Sequence, residues 1–217
     1  VDAASKTDSP YGNIGVWFPE LESATIDQLL LYRDELLRFN KSISLISIST
    51  IDKIDQVHLS DSILGWRIIR KKITSNRVHD LGSGNGFPGI VAGVLSPEVS
   101  VVLVESDTRK AEFLKHIAAL LKLSNVSVAC RRAESLAPDR IVFGMSRGFA
   151  SIQKTLLAIR KSMSPKGQLF HFKGPEWSTE VAALPQQLCS TWNTSHVEDY
   201  NLPETSIVHS IIKSTLN

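Results

Sequence analysis

Apolar and polar positions along the chain follow two different rhythms, and the change comes near residue 77. Before it, Leu29, Leu30, Leu36 and Leu37 recur at helical spacing, which predicts a helix ending near Asn40. Thr25 with Gln28 three residues on has the form of a capping box for its start. A second helical stretch is expected over about Thr50 to Ile69, closing in the basic cluster Arg70, Lys71 and Lys72. Residues 1 to about 20, with Pro10, Gly12, Gly15 and Pro19, read as a loose arm. After Arg77, short apolar runs alternate with helix-like segments. The runs are Val78–Leu81, Val101–Val104, Val126–Ala129, Ile141–Met145 and Gln168–Phe172. Between them lie Pro88–Leu95, Thr108–Leu123, Ile152–Ser162 and a weaker stretch from Trp177 to Leu188. Such alternation predicts βαβ units and a parallel sheet covered on both faces. Two more β-rich runs, Thr194–Tyr200 and Ser206–Thr215, flank Pro203 and predict an antiparallel hairpin at the end of the chain.

Composition narrows the class. The chain has 217 residues, 42% of them hydrophobic and 21% charged, which suits one globular unit with a full core. The expected division is an arm and helical extension over 1–75, packed on a catalytic core over 76–217. No apolar run approaches the ~20 residues of a membrane span, and no basic stretch followed by an apolar run marks a secretory signal. A cytoplasmic protein is therefore expected, with no membrane partner. Cys130 and Cys189 lie far apart and read as reduced thiols; no histidine or cysteine spacing predicts a metal site. The net charge of +2 permits nucleic-acid binding without demanding it.

The chemistry centres on His79-Asp80-Leu81-Gly82-Ser83-Gly84-Asn85-Gly86-Phe87-Pro88-Gly89, which follows a strand and opens a helix. Glycines allow positive φ and close approach of a ligand. Pro88 suits a helix's first turn, whose free N–H groups can receive a polar ligand. Gly84-x-Gly86-x-x-Gly89 formally matches the dinucleotide fingerprint, while Gly82-x-Gly84-x-Gly86 after Asp80 matches the turn that binds S-adenosylmethionine. Electrostatics favours the second reading: Asp80 would repel a pyrophosphate but suits a ligand carrying an ammonium and a sulfonium. A purely structural glycine turn is the bland alternative. Glu105, ending the second strand, can accept hydrogen bonds from ribose hydroxyls in either class, with Ser106 beside it. Arg132-Ala133-Glu134 follows the third strand, where an adenine ring would rest. The expected fold is thus α/β: a Rossmann-like class I S-adenosylmethionine-dependent methyltransferase with a mostly parallel seven-stranded sheet, a C-terminal antiparallel hairpin and an N-terminal helical extension.

The fourth strand ends in Met145-Ser146-Arg147-Gly148-Phe149-Ala150. The Asp or Asn followed by two prolines that serves amino-group methylation is absent, and no cysteine lies here to attack a pyrimidine ring. Cys130 ends a different strand and reads as core. A ring nitrogen with a free lone pair, such as guanine N7, needs neither device; proximity and orientation supply the catalysis. Arg147 is the candidate catalytic residue, able to hold a carboxylate, a phosphate or a base edge; a surface arginine in an ion pair is the plain alternative.

These residues resemble the bacterial small-subunit ribosomal RNA guanine-N7 methyltransferases, also called glucose-inhibited division protein B. Gly82-Ser83-Gly84-Asn85-Gly86-Phe87-Pro88-Gly89 carries the resemblance furthest. His58-x-x-Asp61-Ser62, Ser146-Arg147-x-Phe149-Ala150, Lys173-Gly174, Leu202-Pro203 and Asn40-Lys41 follow in the right order. The resemblance covers roughly residues 25 to 215. It implies methylation of N7 of a guanine in the decoding-region loop of 16S rRNA, with S-adenosylmethionine as donor. It implies cofactor contacts from Gly82 and Phe87, a ribose contact from Glu105, adenine contacts from Ala133 and Glu134, and a cofactor or target contact from Arg147. Asn40, His58, Asp61, Arg132 and Lys173 would line the target side. A helical histidine paired with Asp61 at i+3 is also an ordinary arrangement, and His58 is read as a pocket residue rather than a base. Ser44-Leu45-Ile46, Val57 and Thr205-Ser206 depart from the family's usual residues, mostly on the target side.

The expected partner is 16S rRNA or the small ribosomal subunit particle, not DNA, and the expected state is a monomer. Arg67, Arg70, Lys71, Lys72, Arg77, Arg131, Arg132, Lys166 and Lys173 would bind phosphates if they shared a face; a solvated charge run is the equal alternative. Three other functions stay open at this point: a methyltransferase acting on another RNA or a small molecule, a non-catalytic RNA or ribosome-assembly binding protein, and a nicotinamide-dependent oxidoreductase.

Overall fold

The computed structural model describes residues 12–217; Pro10 of the expected arm lies outside them. Over residues 12–20 that arm is not loose. A short helix, α1 (Gly12–Trp17), forms because Ile14 and Phe18, four apart, are both buried. Helix α2 (Ser23–Asn40) starts two residues before Thr25, with Glu22 at the N-cap position and no side-chain cap. The capping box is therefore not formed. Gln28 instead donates its side-chain amide to the Leu121 carbonyl, 3.1 Å away.

The second helical stretch changes character along its length: a 3-10 turn over Ile48–Lys53, a π-helical turn over Asp55–Ser60, then α3 (Asp61–Arg70). The wide turn is stitched by side chains: Ser60 Oγ donates to the Asp55 carbonyl and Ser62 Oγ to that of His58. Such wide turns concentrate at functional sites.

The alternating part follows the predicted order: β1 (Arg77–Leu81), α4 (Gly89–Leu95), β2 (Ser100–Glu105), α5 (Thr108–Leu120), β3 (Val126–Cys130), β4 (Ile141–Arg147), α6 (Ile152–Ile159), β5 (Met163–Lys173), α7 (Trp177–Ala182), α8 (Gln186–Thr191), β6 (Trp192–Asn201) and β7 (Val208–Leu216). The weak helix splits in two because Pro185 cannot continue α7 and occupies the N-cap of α8. The seven strands run β3-β2-β1-β4-β5-β7-β6. Strands β1 to β5 pair in parallel, while β7 pairs antiparallel with both β5 and β6.

Alternation along the strands divides the interior. Val78 and Leu103 pack with α2, α3, α4 and α5, whereas Leu81, Val102 and Val104 pack with α6 and α8. Strand order reverses between β1 and β4, and ligands of open α/β sheets bind where the carboxyl ends diverge at such a point. Among the described residues no helix is long and apolar enough to cross a membrane.

Candidate active site

A cavity of about 480 Å³ opens at that reversal, within the range of small-molecule sites. Its wall comes from four strand ends: Gly82, Ser83, Gly84 and Asn85 after β1; Glu105 and Ser106 at β2; Arg131, Arg132, Ala133 and Glu134 after β3; Arg147, Gly148 and Phe149 at β4. Leu45, Val104 and Lys110 complete it.

Glu105 organises the first wall. It is buried; Oε2 accepts from Gly84 N at 2.8 Å and Oε1 from Asp107 N at 2.7 Å. Each carboxylate oxygen keeps a further lone pair for a hydroxyl. Gly82 has φ of +67°, and a Cβ there would lie 2.2 Å from the Phe149 ring, so only glycine fits on both counts. Gly89 lets the helix approach β1: a Cβ would sit 2.5 Å from Asp80 Oδ2.

Asp80 is placed differently from its reading as a cavity residue. It is almost fully buried beneath the turn; Oδ2 accepts from Gly89 N at 3.2 Å, and Oδ1 has no partner. The first N–H of α4 is thus used by Asp80 rather than free. Burial pushes the Asp80 carboxyl up to about 7. An orphaned, reluctantly ionised carboxylate under the floor is what a cationic ligand above it would relieve, so the residues present fit S-adenosylmethionine: an acid beneath, a ribose acceptor in Glu105, and Ala133 and Glu134 on the far wall.

The target side is a side-chain network. Arg147 lines the cavity, and its Nη1 donates to Asp61 Oδ2 at 2.7 Å and to the Val57 carbonyl at 3.0 Å. Its Nη2 donates to His58 Nδ1. A guanidinium can only donate, so Nδ1 accepts and the His58 proton sits on Nε2, facing Thr50 Oγ1 at 3.1 Å. Burial, helped by the Arg147 charge, lowers the His58 pKa to about 3. His58 is therefore neutral near pH 7, with both ring nitrogens engaged. Phe87 does not line the cavity; it is buried, stacked on His58 with centroids 5.2 Å apart, and lies under the Arg147 guanidinium at 5.4 Å. Asp61 is buried as well. Burial pushes its carboxyl up, but His209, Arg147 and Tyr200 more than offset this and hold it below the usual aspartate value.

Of the expected pocket residues Arg132 lines the cavity; His58 and Asp61 reach it only through Arg147, and Asn40 and Lys173 act from a distance. Asn40 Oδ1 accepts from Leu45 N and Ile46 N at 2.8 and 2.9 Å, closing the loop that presents Leu45 to the cavity. Lys173 does not line the cavity: its ammonium is held by Glu180 at 2.9 Å, which α7 brings over the end of β5. Cys130 is exposed rather than core, because it lies at the end of edge strand β3. The basic residues do not share a face. Arg131 and Arg132 stand at the carboxyl edge, whereas Arg70 and Arg77 lie at the opposite edge, where α3 ends and β1 begins. There Arg67 pairs with Glu20 and Arg70 with Glu98.

Sequence reasoning missed Tyr32, Lys110, Tyr200 and His209, and gave Leu45, Asn85 and Phe149 no role of their own although it quoted them. Tyr32 donates to the Asn85 carbonyl at 2.7 Å and Asn85 Nδ2 donates to the Leu45 carbonyl at 3.2 Å, so the N-terminal helices grip the glycine turn. A buried tyrosine in a leucine-rich helix was the available signal, since its hydroxyl must find a partner.

The sequence profile of a family described as rRNA small subunit methyltransferase G matches residues 25–208. The chain is 43% identical over 205 residues to ribosomal RNA small subunit methyltransferase G 3 of Bdellovibrio bacteriovorus, covering 94% of this chain and 93% of that one. It is 36% identical over 162 residues to ribosomal RNA small subunit methyltransferase G of Paracoccus denitrificans, covering 74% and 82%. Among solved structures it is similar to a SAM-dependent methyltransferase from Aquifex aeolicus, with a TM-score of 0.57, 14% identity and coverage of 79% of this chain and 100% of that one. The 23S rRNA methyltransferase ErmE matches with a TM-score of 0.51, 13% identity and coverage of 71% and 68%. At these identities the structural likeness shows the fold alone.

Proposed function

The chain belongs to the rRNA small subunit methyltransferase G family, and from that premise we propose that it methylates N7 of a guanine in the decoding-region loop of 16S rRNA. S-adenosylmethionine, the family's methyl donor, supplies an electrophilic methyl group when bound, and guanine N7 accepts it with a lone pair and no proton to remove. Gly82, Gly84, Glu105, Ser106, Ala133 and Glu134 would hold the donor, with Asp80 beneath as the counter-charge.

The observation that carries the reading is the state of His58. A substrate that must lose a proton needs a poised base within reach. His58 is neutral but capped, its Nδ1 by Arg147 and its Nε2 by Thr50. What stands at the cavity wall is a fixed cation, Arg147, whose remaining N–H groups can donate to a base edge or phosphate. Lys110, Arg131 and Arg132 on the same wall supply further cations for the RNA backbone. The substrate is either free 16S rRNA or the small ribosomal particle, and the protein acts as a cytoplasmic monomer.

The test is methyl transfer from labelled S-adenosylmethionine to small-subunit rRNA and 30S particles from cells lacking this protein, with the modified base mapped. N7-methylguanine at one decoding-region position, formed roughly 100-fold more slowly or worse with Arg147→Ala, is the expected result. Tight cofactor binding with no label in rRNA would overturn it.

A further inference from the structure

Arg147 meets one carboxylate among the described residues, Asp61, and the two oxygens of that carboxylate are used differently. Oδ2 faces Arg147 at 2.7 Å. Oδ1 faces the C-terminal hairpin: Tyr200 donates its hydroxyl to it at 2.8 Å, and His209 Nδ1 lies 3.2 Å away. Tyr200 and His209 are direct cross-strand partners on β6 and β7, with ring centroids 5.7 Å apart. Strand pairing therefore sets the spacing of both groups independently of α3, which supplies Asp61, and opposed residues on one face of an antiparallel pair are the closest side-chain neighbours a sheet offers.

We propose that Tyr200 and His209 are positioning residues for methyl transfer: they pin Asp61 Oδ1, so that Oδ2 is presented to Arg147 and the guanidinium is fixed at the cavity wall. The inference rests on Arg147 being the group that meets the substrate. A carboxylate held through one oxygen only can turn about its Cβ–Cγ bond, and the arginine it orients turns with it. Held through both, it leaves the guanidinium one orientation, with Nη1 shared between Asp61 and the Val57 carbonyl. Neither Tyr200 nor His209 lines the cavity, so their effect should fall on turnover rather than on cofactor affinity.

The experiment uses full-length protein labelled with 15N at arginine, the Arg147 side-chain signals being those lost in Arg147→Lys. In the wild type the Arg147 Nη groups should give separate signals, the mark of slow rotation. In a Tyr200→Phe/His209→Ala double variant they should merge while the backbone spectrum is kept. Methyl transfer at saturating substrates should fall about 10-fold, the scale of a lost hydrogen bond to a charged group. KM for cofactor and RNA should stay within about 2-fold, as expected when an interaction serves the transition state. His209→Asn, whose amide nitrogen sits near the position of Nδ1, should recover most of the His209→Ala loss. Adding Arg147→Ala should abolish the difference, leaving the triple variant no slower than Arg147→Ala alone. Unchanged Arg147 signals in the double variant, or the same 10-fold loss on top of Arg147→Ala, would overturn the proposal. If the double variant does not fold, Tyr200→Phe, which removes a single oxygen, carries the same comparison. A wild type with a rigid Arg147 that transfers no methyl to rRNA would break the functional reading, and the spectra would still decide the positioning role.

Discussion

The two halves of the cavity are built on different principles. The cofactor half is local: the turn after β1, the end of β2 and the loop after β3 lie between residues 80 and 134, and their shape is set by backbone groups and two carboxylates, Asp80 and Glu105. The target half converges from across the chain. Val57, His58 and Asp61 come from the helical extension, Phe87 from the turn, Arg147 from β4, and Tyr200 and His209 from the hairpin. A site made of backbone geometry leaves a contiguous signature of glycines. A site made of side-chain convergence leaves isolated residues whose partners only the fold supplies.

If the halves are separable, Arg147→Ala should lower methyl transfer by roughly 100-fold or more, the scale of removing a preorganised charged donor, while the cofactor Kd measured by calorimetry moves by less than about 3-fold. An equal loss of cofactor affinity would assign Arg147 to the cofactor half and erase the distinction. Glu105→Ala is the converse. It should raise the cofactor Kd roughly 10-fold, since it removes a charged acceptor from both the ribose position and the Gly84 and Asp107 N–H groups. Saturating cofactor should then restore most of kcat; a kcat that stays low would mean that the turn itself had collapsed.

The two edges of the sheet sharpen the comparison further. Lys110 and Arg131, at the carboxyl edge, have no ion-pair partner among the described residues and Arg132 has a long, exposed pair with Glu134 at 3.7 Å, whereas Arg67 and Arg70 are neutralised by Glu20 and Glu98. Replacing Arg131 and Arg132 with alanine should weaken RNA binding several-fold. It should also reduce the slope of log affinity against log salt by about 0.7 for each single-strand phosphate that is no longer neutralised. Replacing Arg70, Lys71 and Lys72 should leave both unchanged. Filter binding across a salt series decides, and a larger effect from the second set would move the RNA to the other edge.

This division also explains what could be read from the chain. Short apolar runs and the turn at Gly82–Gly89 were legible because strands and glycine turns are dictated within a few residues. Glu105 was legible because a strand-end acid at that distance from the turn has one common use. The π-helical turn at Asp55–Ser60 was not legible, since side-chain back-bonds from Ser60 and Ser62 decide it against ordinary helix. Tyr200 and His209 were not legible because their function depends on register between β6 and β7 and on α3 arriving beside them. The charge run at Arg67–Lys72 had the right composition for a phosphate surface. Direction along α3 decided against it, since that helix starts at the site with Asp61 and runs away from it to Arg70.

The smallest expected effect concerns Asp80, where the halves meet. Its folded pKa is raised by burial to about 7, against an ordinary value of 3.8. Below about pH 4 both folded and unfolded chains carry it neutral, and it contributes no difference. Between that point and pH 7 the unfolded chain ionises while the folded chain resists, so the protein without cofactor loses stability as pH rises, and the loss is complete above about 7. The cation of the cofactor reverses the preference by favouring the ionised form. Melting temperatures of the wild type and Asp80→Asn should therefore diverge from pH 4 to 7, with the variant the more stable, and run parallel above. Cofactor affinity of the wild type should rise a few-fold from about pH 6 to 8 as the carboxylate ionises, while the variant's stays flat and lower. Parallel melting curves over the whole range would mean that Asp80 is already ionised and paired. The Asp80 charge would then be present throughout, and the rise in cofactor affinity from about pH 6 to 8 would be lost.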